Sequence, residues 1–242
     1  MMLTFVRRTL VKGVRANIAP SQHICNRVSL PRTHVIYHGV TPCDSKDAPE
    51  GVPTDPTRFA FVGRLVSEKG ADVLLKAANR LAQSGHKFRV TIVGDGPERA
   101  RLEKMVDELG IRSKVEFAGW VPPEIVNRTL YGAIAVVIPS VCEDVAPLVA
   151  LEQMAYGRLI IASDIGGLGE LVGEYGMKFP ASDANELAIC MLRVMKDSGA
   201  TSDMVNRARG YVAERFTAQR MVSDHLKVYR TEAFTAGTKG SS

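Results

Sequence analysis

The hydrophobic pattern of the chain changes near residue 58. Beyond that point short unbroken apolar runs alternate with stretches whose apolar positions recur every three or four residues. The runs are RFAFVG (58–63), FRVTIVG (88–94), KVEFAG (114–119), AIAVVIPS (133–140), RLIIAS (158–163) and the shorter EYGMKF (174–179). Continuous Val, Ile and Phe runs predict strands buried on both faces, and hence a parallel sheet covered by helices. Helical spacing occupies residues 69–84, 97–109, a segment opening at Pro122 and Pro123, residues 147–156, a segment opening at Gly166 and Gly167, and residues 183–196. Pro97 stands in a first helical turn and Gly85 just past a helix end, as capping chemistry favours. The alternation predicts an α/β fold, a doubly wound, Rossmann-like parallel sheet flanked by helices. Two further helices, 201–215 and 218–233, follow without another strand, and a polar tail over 234–242 is expected to be disordered.

The first 57 residues read differently. Residues 4–12 predict a short helix, 16–21 a strand running into a turn, 21–29 a second helix, and 33–40 a strand ending near Gly39. Residues 41–57 hold four prolines without periodicity and predict a linker. The expected organisation is therefore 1–40, a linker over 41–57, a domain over 58–200, and C-terminal helices over 201–233.

Charge sharpens this division. The net charge is +5, and the first 50 residues hold seven Lys and Arg against three acids, none before Asp44. An Arg-rich, acid-poor start can be a transit peptide or a basic surface helix, and the surface helix is the reading carried forward. Such a segment would suit peripheral contact with a membrane. A single Trp and few aromatics, with no interleaved basic and aromatic run, argue against nucleic acid as a partner. Cys25, Cys43, Cys142 and Cys190 are dispersed, with no CxxC pair. That pattern predicts neither a metal site nor a disulfide framework, and favours a reducing, cytoplasmic compartment. No apolar run approaches the ~20 residues of a membrane span.

In an open parallel sheet ligands bind beyond the carboxyl ends of the strands, so the residues there carry the candidate chemistry. After the first domain strand, GRLVSEKG places Arg64 at the strand end and Lys69 at the start of the next helix. Two cations beside a helix N-terminus suit a phosphate group, though solvated cations flanking a turn would look the same. GDGPER (94–99) has Arg99 where a dinucleotide fingerprint needs its third glycine, and reads as a tight turn. Trp120, after the third strand, either shields a ligand or packs in the core. After the fourth strand, PSVCEDVAPLVALE brings Glu143 and Asp144 ahead of a helix and Glu152 within it. Asp144 would also serve as a helix cap. Glu152 stands in a run apolar enough to bury it, and a buried carboxylate needs a partner. It can accept from the vicinal hydroxyls of a ribose, or serve as a structural ion pair. Among His23, His34, His38, His86 and His225 only His38 falls near a strand end facing a cleft, where structural use remains the simpler reading.

FVGRLVSEKGADVLLKA, VTIVGDGPERARLE, VEFAGWV, VVIPSVCEDVAPLVALEQMAYG and IIASDIGGLGELV, in this order, resemble the C-terminal domain of glycosyltransferase family 4-like enzymes of the GT-B fold. The resemblance covers about Phe59 to Lys196. IAPSQHICNRV and HVIYHGV look like the last elements of that family's N-terminal domain, which makes residues 1–40 a remnant of an acceptor-binding domain. It implies a retaining enzyme that transfers a sugar from a nucleotide-sugar donor without a metal or other cofactor. Arg64 and Lys69 match the family's phosphate-binding pair, next to Gly63. Glu152 matches its ribose-binding glutamate, and Trp120 and Val121 fall where the base is contacted. Backbone N–H groups around Ala146, Pro147, Leu148 and Val149 would face the donor. The family separates two glutamates by seven residues. Counted back from Glu152 that position holds Asp144, with Glu143 one residue too early, so either residue could meet the donor sugar. A full acceptor domain is also missing, which reads as a fragment, a truncated product or half of a split enzyme. The acceptor is not specified. The alternative reading is a non-catalytic nucleotide-sugar binding module, or a subunit that needs a partner for transfer.

Overall fold

The computed structural model describes residues 14–41, 56–145 and 147–237. The expected helix over 4–12, nearly all of the linker, Cys43, Ala146 and the last five residues lie outside them. Two short strands, β1 (Asn17–Ala19) and β2 (Thr33–Val35), form a parallel pair joined by helix α1 (Gln22–Val28). Ser21 caps α1 through Ile24 N–H. The strand expected over 33–40 ends at Val35. Past that point the backbone turns to the C-terminal helices, where Val40 pairs with Thr217 in an isolated bridge.

The main sheet has six parallel strands: β3 (Thr57–Val62), β4 (Phe88–Val93), β5 (Val115–Gly119), β6 (Ala133–Ile138), β7 (Leu159–Ser163) and β8 (Met177–Phe179). Their spatial order is β5-β4-β3-β6-β7-β8. This is the doubly wound order in which the winding direction reverses between the first and fourth strands. The helices are α2 (Ala71–Gln83), α3 (Arg99–Glu108), α4 (Pro123–Thr129), α5 (Leu148–Ala155), α6 (Gly166–Val172), α7 (Ala184–Lys196), α8 (Ser198–Arg215) and α9 (Ala218–Gly237). The last runs four residues into the segment expected as a tail.

Two cores explain why the strands read as unbroken apolar runs. One face of the sheet packs Phe59, Phe61, Val90 and Ile92 against Leu74, Leu75 and Leu81 of α2, Leu102 of α3 and Leu187 of α7. The other packs Ala60, Val136, Ile160 and Ala162 against Leu151 and Met154 of α5, Leu168 of α6 and Val212 of α8. The inner strands β4, β3, β6 and β7 thus bury side chains on both faces, while the edge strands β5 and β8 leave Glu116 and Lys178 exposed. Among the described residues no helix is long and apolar enough to cross a membrane.

Candidate active site

The reversal between β3 and β6 opens a crevice at their carboxyl ends, and the loops leaving these two strands lock together. Gly70 takes a left-handed φ of 66°, and a Cβ there would stand 1.9 Å from the Pro139 carbonyl oxygen. Only glycine allows that approach. Val141 N–H donates to the Glu68 carbonyl at 2.9 Å, so the β3 loop carrying Lys69 lies directly against the β6 loop.

Across this seam Lys69 Nζ donates to both oxygens of Asp144, at 2.7 and 2.9 Å. Ser140 Oγ, fully buried, donates to Asp144 Oδ2 at 2.7 Å. Asp144 is therefore no helix cap: α5 has Pro147 at its N-terminal boundary and no side-chain cap. Among the described residues no side chain caps the first turn of α5, and the N–H groups of a first helical turn have no partner within their own helix. Arg64 projects exposed beyond the end of β3. The Gly63 N–H is consumed by the Val93 carbonyl, so this glycine serves the turn. The GDGPER turn braces the same loop: a Cβ on Gly96 would stand 2.4 Å from the Leu65 carbonyl oxygen.

Glu143 and Asp144, adjacent in sequence, face different partners. Glu143 turns to α1, where its Oε1 accepts from Arg27 and its Oε2 lies 3.3 Å from His23 Nε2. Gly166, with a φ of 58°, lets α6 close against the Glu143 side chain, and Gly167 N–H donates to the Asp144 carbonyl at 3.1 Å. Residues 14–41 are fastened to the domain a second time through Glu170 of α6. Its carboxylate accepts from the N–H groups of Gln22 and His23 and from the Tyr37 hydroxyl, at 2.9, 2.6 and 2.5 Å. Burial, then the hydrogen bond and charge of Glu170, push the Tyr37 hydroxyl up to about 12. His38 lines a small crevice with Val145, Pro147 and Leu148.

Glu152 departs from expectation. It is exposed, because α5 buries Ala150, Leu151, Gln153 and Met154 and turns Glu152 the other way. It faces a cleft of about 560 Å³ lined also by Val40, Val62, Val121, Val126, Asn127 and Tyr156. The cleft walls strip water from the carboxyl and raise its pKa by desolvation alone. Trp120 is 70% exposed, which excludes the core-packing reading and leaves its indole at the surface beside Val121. Sequence reasoning missed Ser140, His23, Arg27 and the polar wall of the cleft. That wall comprises Asn127 and Gln153 around the buried Arg158. A lone Arg at the head of the apolar run RLIIAS was the available signal.

The fold and its crevice define an open, doubly wound α/β domain with a cleft at its topological switch point. The chain belongs to the glycosyl transferases group 1 family, whose model matches residues 44–211, and its fold is that of the GT-B superfamily. It is 30% identical over 224 residues to an uncharacterised glycosyltransferase of Methanocaldococcus jannaschii, covering 86% of this chain and 57% of that protein. It is 33% identical over 204 residues to the D-inositol 3-phosphate glycosyltransferase of Acidothermus cellulolyticus, covering 78% and 45%. The chain thus spans about half the length of these curated relatives. Sucrose-phosphate synthase of Thermosynechococcus elongatus superposes with a TM-score of 0.82 at 26% identity, covering 96% of this chain and 61% of that one. The Anabaena HepE structure in complex with UDP and glucose matches with a TM-score of 0.82 at 21% identity, covering 93% and 66%.

Proposed function

We propose that this chain is the donor-binding half of a retaining, family 4-type glycosyltransferase that takes its sugar from a nucleoside diphosphate sugar. The observation that carries the reading is the meeting of two strand-end loops through Lys69 and Asp144, beside a cleft that bears Glu152. In this assignment the diphosphate lies between Arg64, Lys69 and the open first turn of α5. As the sugar–phosphate bond breaks, negative charge grows on the leaving diphosphate. Fixed cations and N–H groups stabilise that charge without reorganising. Because those cations come from the chain, we propose that no metal ion is required. Glu152 accepts from the ribose hydroxyls, and Val121 with Trp120 borders the base. Glu143 and Asp144 border the sugar end.

Titration calorimetry with UDP, GDP and the bare nucleosides tests the site. Arg64→Ala is expected to weaken diphosphate binding about ten-fold or more, and nucleoside binding far less. Equal losses for both would remove Arg64 from the phosphate site. Retention is tested by the anomeric configuration of the product, read by proton NMR. The expected organisation supplies the acceptor side from a domain outside residues 58–200, and we propose a cytoplasmic setting from the dispersed free cysteines. Donor binding without turnover, even with an acceptor domain supplied, would favour the non-catalytic binding module.

A further inference from the structure

The cleft facing Glu152 has one polar wall whose hydrogen bonds can be assigned atom by atom. Arg158, 2% exposed, directs its guanidinium at two amide side chains. One terminal nitrogen donates to Asn127 Oδ1 and to Gln153 Oε1, each at 2.7 Å. The other donates to the Asn127 main-chain carbonyl at 3.0 Å. Gln153 Nε2 adds a longer bond to Asn127 Oδ1 at 3.3 Å. A guanidinium donates and never accepts, so both amides must turn their oxygens toward it. This removes the usual freedom of an Asn to present either end. Gln153 is 1% exposed and both of its amide ends point into this network. Asn127 is half-buried and lines the cleft, and among the described residues its Nδ2 has no hydrogen-bond partner.

We propose that Asn127, held in one amide orientation by Arg158, is a specificity-determining residue of the donor site. It donates from Nδ2 to a carbonyl oxygen of the nucleobase. The inference rests on the nucleotide-sugar reading above and adds the class of base the site selects. Asn127 belongs to the same wall as Val121, Pro123 and Val126, whose apolar surfaces suit a flat ring, whereas Glu152 reaches the cleft from α5 and is assigned to the ribose. A fixed donor pairs with uracil O4 or guanine O6. It meets another donor in cytosine N4 or adenine N6. The site should therefore prefer UDP over CDP, and GDP over ADP.

Calorimetric titration of the full chain with UDP, CDP, GDP and ADP tests this, with melting temperatures recorded alongside. The wild-type protein is expected to favour UDP over CDP by about ten-fold, the loss from setting donor against donor. Asn127→Asp keeps an oxygen toward Arg158 and presents another to the cleft, so it should reverse or abolish the UDP/CDP ratio. Asn127→Ala should flatten the ratio without reversing it, and serves if the Asp variant folds poorly. Equal wild-type affinities within each pair, or a ratio unchanged in both variants, would overturn the role of Asn127 while leaving the donor site standing. Failure of all four nucleotides to bind wild-type protein would instead overturn the nucleotide-sugar reading itself.

Discussion

The Lys69–Asp144 pair holds the two site loops together, and its strength can be worked from the geometry. The two side chains are 30% and 19% exposed, with Nζ 2.7 Å from the nearer oxygen. Charge centres about 3.5 Å apart at an effective dielectric of ~20 attract by roughly 5 kcal/mol before any cost is subtracted. Desolvation and side-chain ordering take back most of this. Exposed pairs retain ~0.2–1 kcal/mol, while breaking a buried pair costs ~3–5 kcal/mol. A pair of intermediate exposure, with the buried Ser140 hydroxyl adding a bond to Asp144, should retain a coupling of about 1–2 kcal/mol. In a chain of this size that corresponds to a fall in melting temperature of about 3–6 °C for Asp144→Asn. The assay is a double-mutant cycle of Lys69→Met and Asp144→Asn by urea denaturation, repeated with saturating UDP. In the proposed site the diphosphate would replace Asp144 as the partner of Lys69, so the single variant should be stabilised more by UDP than the wild type is. A coupling below ~0.5 kcal/mol, the level of ordinary additivity, would refute the argument that this pair fastens the loops. An identical UDP shift in wild type and Asp144→Asn would refute the handover of Lys69 to the diphosphate.

Three further outcomes are expected. Desolvation raises the Glu152 carboxyl, so the native state holds its proton to higher pH than the unfolded chain, and stability falls as pH rises through that window. Glu152→Gln should therefore melt slightly higher than wild type at neutral pH, yet lose the preference for UDP over its 2′,3′-dideoxy analogue. A lower melting temperature with that preference intact would identify a structural carboxylate. Burial first, and the bond to Glu170 second, raise the Tyr37 hydroxyl from 10 to about 12, so the stability tied to its protonated form is complete below pH 10 and is lost as pH climbs toward 12. Tyr37→Phe should flatten that alkaline loss, and hydrogen exchange over residues 17–40 should report it; superimposable alkaline profiles would exclude the contribution. Gly70→Ala forces a side chain into the Pro139 carbonyl at positive φ, and should cost about 1–3 kcal/mol of stability and weaken UDP binding. Unchanged values of both would show that the loops move apart without penalty.

The apolar pattern placed all six strands of the main sheet: RFAFVG, FRVTIVG, AIAVVIPS and RLIIAS are inner strands buried largely on both faces, while KVEFAG and the shorter EYGMKF are edge strands that keep Glu116 and Lys178 exposed. Helix starts slipped by a residue or two. Pro97 and Glu98 form a turn before α3, and Lys69 ends a short 3-10 turn before α2. The placement of Arg64, Lys69 and Asp144 beyond the carboxyl ends of β3 and β6 was legible because strand ends can be counted along the chain, and Glu152 was legible as a carboxylate inside the helix that follows β6. Their partners could not be counted. Lys69 and Asp144 lie 75 residues apart, and Glu143 and Arg27 lie 116 apart. Such pairings exist only once β6 is laid beside β3 and α1 is folded onto the domain. The burial of Glu152 was misjudged for a related reason. An apolar run shows that a helix has a buried face, but which residue leaves that face depends on where the neighbouring wall stands, and here that wall is α4. The amide orientation of Asn127 is the furthest case. Composition determines that an Asn and an Arg are present, but only the tertiary structure brings a donor-only guanidinium against one end of the amide and decides which end is held there.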